Sequence, residues 1–300
     1  MKLSIIIVHY KQEGLLKRCL TSLKMNTITC DHEIIVVDNQ RSREIDSMIS
    51  QRFSNVLLIQ PHRNLGYAAA VNHAIQMRDS NYVLILNADT EVLPRSVDSI
   101  VALTENLTTL GIGGARLLNK DRSLQWSARR HYTARVLFWR LLRRAGLKRL
   151  SDSRPITKYH LMQEWAHDAV RDVDWVLGAA MIVSRQAIAQ VGYMDERFFV
   201  YMEDVDWCLR MQQKGWRVCY LPTVPIIHDH QQESGRSLLS PSFLLHLTSL
   251  LIFYSTGSRF FKLIKSDGML ITCCVSAILL VLWCVNALIF WPLLLKNRRI

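Results

Sequence analysis

The sequence predicts an α/β fold: a mostly parallel β-sheet with helices on both faces, followed by a C-terminal transmembrane helix. Three observations predict it. Continuous apolar runs rich in Val and Ile alternate with helical segments through the first ninety residues, as they do where strands are buried on both faces. Polar residues follow those runs directly, at the sheet edge where open α/β folds bind ligands. Residues 269–295 are 27 consecutive residues without a charge. At about 1.5 Å per residue, a helix of that length exceeds the roughly 30 Å hydrocarbon core of a bilayer.

Residues 3–8 are the first apolar run, and His9 and Tyr10 follow it. Residues 13–23 place Leu15, Leu16, Cys19, Leu20 and Leu23 on one helical face. The second run, 33–37, ends at Asp38-Asn39, and the third is 56–59. Residues 66–77 read as a helix with many alanines. The fourth run, 82–86, ends in Asn87-Ala88-Asp89. Residues 129–150 are basic, with interleaved Val, Leu, Phe and Trp. Residues 174–183 (DWVLGAAMIV) read as a strand with a small-residue centre, and 192–210 lead from a loop into a helix. Residues 221–235 form a loop carrying His228 and His230. Residues 243–254 are apolar but too short to span a bilayer.

Charge is distributed unevenly over the 300 residues, which carry a formal net charge of +12. Between Lys120 and Leu150 there are ten Lys/Arg and one acid. Nucleic-acid binders spread basic residues through their fold. Here the basic segments lie in or beside apolar stretches, which points to an anionic membrane surface and to no nucleic-acid partner. The seven cysteines show no CxxC or Cys/His metal spacing and are read as reduced. With no signal peptide visible, the catalytic part is expected on the cytoplasmic side of the membrane.

The first strand is followed by no GxGxxG, and there is no GxxxxGK[ST], which argues against a dinucleotide site and a P-loop. A diphosphate would then need a metal and scattered donors. Asp89, at the end of a buried strand, can hold a divalent cation, or it can simply cap a turn. In Glu203-Asp204-Val205-Asp206, preceded by an aromatic-rich stretch, desolvation would raise a carboxyl pKa and make a better base. The same acids also suit a helix N-terminus, and Asp206 with Arg210 forms an i,i+4 pair. His228 is either an ordinary structural histidine or a cation ligand beside a carboxylate.

Taken in order, these pieces resemble family 2 glycosyltransferases with a GT-A fold. The matching segments are SIIIVHYK at the start, IIVVDN at 34–39, RNLGYAAAVN at 63–72 and LILNADT at 84–90. They continue with DWVLGAAMIVSR at 174–185, GYMDERFFVYMEDVDWCLR at 192–210 and the His228 loop. The resemblance covers about residues 2–237, and within the family it is nearest to bacterial rhamnosyltransferases of cell-surface polysaccharide assembly. It implies a catalytic domain over 1–240, with a nucleotide-binding half to about 118, a basic insert at about 120–150 and an acceptor half at about 170–240. A juxtamembrane segment at 241–267 and a membrane helix at 268–296 would follow, in the bacterial inner membrane.

The resemblance also implies roles. Asp38 would read the donor base, with His9 and Tyr10 lining the nucleoside pocket and Arg63 and Asn64 near the nucleotide or sugar. Asp89 would be the metal-binding acid of the family's DxD element, with His228 as a second ligand for Mn2+ or Mg2+. Asn87 stands where the family's first acid would be; it can bond a ribose hydroxyl but brings no charge. Gly178 and Ala179 would lie beneath the acceptor, with Trp175 beside it. Asp204 would be the catalytic base, supported by Glu203 and Asp206. The expected reaction is a single displacement with inversion, from a dTDP- or UDP-sugar to a lipid-linked saccharide. A GT-A-like scaffold without activity and a nucleotidyltransferase are the alternatives.

Overall fold

The computed structural model describes residues 2–26, 28–144, 154–229, 240–255 and 269–299. The strands are β1 (Lys2–His9), β2 (Asp31–Asp38), β3 (Val56–Ile59), β4 (Tyr82–Asn87), β5 (Thr90–Val92), β6 (Leu110–Leu118), β7 (Ala128–Arg129), β8 (Arg171–Asp172), β9 (Trp175–Val176), β10 (Ala180–Ser184) and β11 (Arg217–His228). The helices are α1 (Glu13–Met25), α2 (Arg43–Arg52), α3 (Tyr67–Gln76), α4 (Ser96–Glu105), α5 (Ala134–Arg144), α6 (Arg154–His160), α7 (Arg185–Val191), α8 (Glu203–Gln213), α9 (Pro241–Tyr254) and α10 (Met269–Arg299).

Among the described residues the main sheet runs β3-β2-β1-β4-β10-β6-β11-β5, with β8 beside β11. Its first half is parallel, because β1, β2, β3 and β4 are joined through α1, α2 and α3. Ile5, Ile6 and Ile7 of β1 are fully buried, each contributing about 1.5–3 kcal/mol of burial energy. One face is covered by the α1, α2 and α4 side chains Leu16, Leu20, Ile45, Ile49, Val97 and Ile100. The opposite face is covered by Ala70, Val71 and Ala74 of α3, Trp207 of α8 and Phe243 and Leu247 of α9. Small residues on α3 let that helix lie close to the sheet.

The mostly parallel expectation is corrected to a mixed sheet. β10 inserts antiparallel between β4 and β6, with Ala180 opposite Leu86, and β11 pairs antiparallel with β5 and β8. The apolar run at 174–183 is not one strand. It breaks at Leu177-Gly178-Ala179 and enters the sheet from the ligand-binding edge. The reversal carries Gly178 and Ala179 to the C-terminal end of β4, where Asn87 N donates to Ala179 O at 2.9 Å. A parallel strand would have sent them to the other edge.

The expected transmembrane helix at 268–296 is also corrected. Residues Met269–Arg299 form one helix, α10, yet among the described residues no helix is long and apolar enough to cross a membrane. Part of its apolar surface is covered by protein. Val275 and Leu279 are buried in the core that also holds Trp175 and Phe198, and Trp283 Nε1 donates to Thr248 Oγ1 of α9 at 2.9 Å. An uncharged run records apolar surface that something must cover, and a neighbouring helix can do so as well as lipid. All seven cysteines are thiols, as expected.

Candidate active site

The C-terminal ends of β1 and β2 carry the first half of the site. His9 and Asp38 are fully buried and face each other across the strand pair, Nδ1 to Oδ1 at 3.0 Å. His9 Nε2 accepts the Gln12 amide at 3.1 Å, so Nδ1 carries the proton and donates it to Asp38. The other Asp38 bonds come from Gln40 N (3.1 Å), Ser42 N (2.7 Å) and Gln60 Nε2 (3.1 Å). Burial raises its carboxyl pKa, but these donors outweigh burial and hold it below the ordinary Asp value. Asp38 therefore braces the pocket floor through the protein's own donors. Tyr10 is exposed beside it.

The next segment is anchored by Asn39, which accepts Leu65 N and donates to Gly66 O at 3.0 Å. Arg63 is exposed, and Asn64 Oδ1 accepts Gly66 N at 2.9 Å. Gly66 has φ +82°, and a Cβ there would lie 2.5 Å from Phe199 O. Only glycine fits this approach, which lets Tyr67 N donate to that same carbonyl at 2.7 Å. Tyr67 then reaches the centre of the site, its hydroxyl 3.0 Å from Asn87 Oδ1 and 3.1 Å from Gly178 O. Burial, with Glu203, Asp204 and Asp89 nearby, raises its pKa well above the usual value, so it stays a neutral donor. The tyrosine stands inside the quoted RNLGYAAAVN motif, but no pattern in the sequence shows that it ties Asn87 to Gly178.

Asp89 and His228 are distant in sequence and adjacent in space. The antiparallel pairing of β11 with β5 sets His228 opposite Thr90, and His228 Nε2 lies 3.3 Å from Asp89 Oδ1. His228 Nδ1 is 2.6 Å from Gln125 Oε1. That carbonyl oxygen accepts only, so Nδ1 carries a proton and Nε2 is directed at the carboxylate. An imidazole nitrogen beside a carboxylate, with the other nitrogen held by an acceptor, is a donor set that fits a divalent cation. Among the described residues no group of three or more His, Cys, Asp and Glu comes together, and the candidate pair is Asp89 with His228. Gln125 was not legible in the sequence. The loop expected at 221–235 is strand as far as His228, because β11 runs Arg217–His228, and His230 lies outside the described residues.

The other side of the site is built at the start of α8. Tyr201 and Met202 have φ +71° and +69°, a left-handed pair that is costly for side chains of this size. It turns the chain so that Glu203 and Asp204 open the helix. Asp204 accepts Gly178 N at 3.0 Å and Val205 N at 2.8 Å. Burial raises its pKa, while the two amides and the nearby Arg129 pull it back in part. Glu203 is buried, its Oε2 has no hydrogen-bond partner, and burial beside Asp204 pushes its pKa well above the ordinary range. A Cβ on Gly178 would lie 3.3 Å from Asp204 Cβ, so a larger residue would crowd this contact. Asp206 forms the expected i,i+4 pair with Arg210 at 2.7 Å and fastens the helix. Trp175 is 4% exposed and donates to Arg130 O at 2.9 Å, which makes it a wall of the site.

Fold and site together describe a glycosyltransferase: a mixed α/β sheet whose ligand edge holds an Asp–His pair and, across Tyr67, a buried carboxylate. A family model described as "Glycosyl transferase family 2" matches residues 4–163, more than half of the chain. The chain belongs to this family. It is 29% identical over 249 residues to the N-acetylglucosaminyl-diphospho-decaprenol L-rhamnosyltransferase of Mycobacterium tuberculosis (strain ATCC 25618 / H37Rv), covering 78% of each chain. It is 27% identical over 252 residues to rhamnosyltransferase WbbL of Escherichia coli (strain K12), covering 82% of this chain and 89% of that one. Among solved structures, GalNAc-T7 with UDP, GalNAc and Mn2+ superposes with a TM-score of 0.62 at 15% identity, over 90% of this chain and 51% of that one. That likeness is one of fold.

Proposed function

We propose that the protein transfers a deoxyhexose, rhamnose in the first instance, from a nucleoside-diphosphate-sugar to a lipid-linked diphosphate saccharide, with inversion at the anomeric carbon. The observation that carries this reading is Asp204, a buried carboxylate aimed by two backbone amides and facing the Asp89–His228 pair across Tyr67. Asp204 removes the proton of the acceptor hydroxyl as it attacks. With Asp204 as the base acting on the acceptor hydroxyl, the reaction is a single displacement. Tyr67 and Asn87 orient the donor, and His9 with Asp38 keeps the pocket floor rigid beneath Tyr10, Arg63 and Asn64. Asp89 and His228 are the residues that would hold Mn2+ or Mg2+, which when bound offsets the charge of the departing diphosphate. A lipid-linked acceptor brings the reaction to a membrane surface, in a bacterium the cytoplasmic face of the inner membrane.

The test is a panel of dTDP-, UDP- and GDP-sugars with a short-chain N-acetylglucosaminyl-diphospho-lipid and Mn2+, read by mass spectrometry of the product. Addition of one deoxyhexose from one donor is the expected result. No transfer from any donor to this acceptor would overturn the substrate assignment.

A further inference from the structure

Beyond Asp204, on the side away from Asp38, lies a cluster of cationic and aromatic side chains that the reaction as described does not use. The β7–β9 ribbon pairs Arg129 with Trp175, and the Arg129 guanidinium carbon sits over the Trp175 ring at 5.3 Å. Tyr132 packs on Trp175 with centroids 5.6 Å apart. Arg140 of α5 lies over the Tyr132 ring at 5.1 Å and donates to its hydroxyl at 2.7 Å. His160 lies against Tyr132 at 4.8 Å. The basic insert was expected to turn its charge outward to a membrane surface. Arg140 instead turns inward, while the side chains of Arg143 and Arg144, and all of Lys148, fall outside what is described.

Asp204 acts on Arg129 only at longer range. Among the described residues no carboxylate is within ion-pair distance of Arg129 or Arg140. Arg129 Nε is buried without a partner, and so are both ring nitrogens of His160, a residue only 3% exposed. Burial and the like charge of Arg140 bring Arg129 down to about 10, and burial with both arginines drives His160 well below its usual value. Two half-buried guanidinium groups and an orphaned imidazole donor persist where a ligand supplies the missing charge and acceptors. Arginine is the residue whose flat fork fits a phosphate.

We propose that Arg129, Arg140, Tyr132 and His160 form the site for a phosphate of the acceptor. Position assigns it to the acceptor. Arg129 lies opposite Trp175, three residues before Gly178, the residue whose amide holds Asp204, and its charge acts on Asp204. The cluster therefore adjoins the base, where an acceptor held by Asp204 would carry its phosphate. The donor's own phosphates belong to Asp89 and His228, on the opposite side of Tyr67. The assignment rests on the proposed lipid-diphosphate acceptor, and it names the residues that would distinguish such an acceptor from a neutral glycan.

The probe is farnesyl diphosphate, titrated into the full chain in excess chelator and followed by tryptophan fluorescence, since Trp175 is part of the cluster. Saturable binding is expected, weakened about 10-fold or more in Arg129→Gln and in Arg140→Gln, with farnesol failing to compete. Arg129→Lys and Arg140→Lys keep the charge and should recover part of the binding, which separates lost recognition from lost folding. In the transfer assay, Arg140→Gln should lose about 10-fold or more on the diphosphate acceptor relative to octyl N-acetylglucosaminide, with the donor KM little moved. No binding by the wild-type chain, equal binding by the Gln variants, displacement by UDP or dTDP, or equal loss on both acceptors would each overturn the proposal. If the wild-type chain binds farnesyl diphosphate but transfers no sugar, the phosphate site stands and the proposed acceptor falls.

Discussion

Asp38 and Asp204 are both buried carboxylates at the ligand edge of the same sheet, and their surroundings push them in opposite directions. Asp38 accepts four hydrogen bonds and sits below the ordinary Asp range. Asp204 accepts two, has Glu203 as a neighbour, and sits above it. The same contrast extends outward. Around Asp38 the partners are neutral and satisfied. On the side of Asp204 lie an orphaned Glu203 oxygen, an orphaned His160 and, among the described residues, two arginines with no carboxylate at ion-pair distance. The Asp38 side, proposed for the donor, is a preorganised floor. The Asp204 side, proposed for the acceptor, holds stored electrostatic cost, and in enzymes such cost gathers where protons and charges move.

The largest effect should come from Asp204. Asp204→Asn keeps the shape and one of the two backbone bonds, sets its new NH2 group against the other amide, and abolishes the base. Transfer should fall by at least about 10²-fold, with donor affinity kept, as measured by steady-state kinetics and donor titration. The wild-type rate should decline toward acid as Asp204 takes up a proton, with the midpoint above the ordinary Asp value of 3.8. Near-wild-type turnover in the variant would erase the contrast between the two carboxylates.

Next comes the Asp89–His228 pair. Asp89→Ala should weaken Mn2+-dependent donor binding by roughly 10–100-fold, and His228→Ala by less, because the carboxylate carries charge. Gln125→Leu frees the His228 ring and should cost about 10-fold. Calorimetric titration of the donor with Mn2+ and with chelator distinguishes these outcomes. Binding that is equal with and without metal in every variant would remove the pair from the donor site.

The legible and illegible parts of this site divide along the same line. Strand runs and the residues just after them, His9, Asp38, Asn87 and Asp89, could be read because a parallel half-sheet puts its ligands at fixed offsets from apolar runs. The pairing of Asp89 with His228 needed the resemblance to a family, since the two are joined only by the antiparallel β5–β11 contact. Tyr67, Gln125 and His160 gave no signal, because each acts through a tertiary contact with no sequence period. α2 was missed since only Ile45 and Ile49 of its residues are buried. The uncharged run at 269–295 misled because hydropathy does not distinguish a helix that lipid would cover from one packed in part on protein, as Val275 and Leu279 are.

A smaller effect should appear in the donor half. Asp38→Asn leaves the donors in place but weakens each bond, and it introduces an NH2 group against donors that already fill the site. A loss of about 1–3 kcal/mol is expected near neutral pH, read by thermal melting. The sign with pH follows from the lowered Asp38 value. Its stabilisation is present above its ordinary 3.8 and is lost as pH falls through the folded value. Wild type and variant should therefore converge in acid.

The smallest predicted effect has the opposite sign and tests the comparison most directly. Glu203 is raised by burial and by Asp204, so the folded chain binds its proton more tightly than the unfolded chain does. Its contribution to stability is fully present below the ordinary Glu value of 4.5 and is lost as pH rises through the folded value. Glu203→Gln keeps the shape and removes that titration. The variant should match wild type near pH 4 and become the more stable of the two toward neutrality, by roughly 2–4 °C for each kcal/mol in a chain of this size. Paired melting curves across that range, on wild type and Glu203→Gln, measure it. A variant destabilised at neutral pH would mean that Glu203 is charged there and held by a cation, so the acceptor half would be as well satisfied as the donor half. The expected gain would show that the cost lies in the carboxyl itself, raised by burial and by Asp204 beside it.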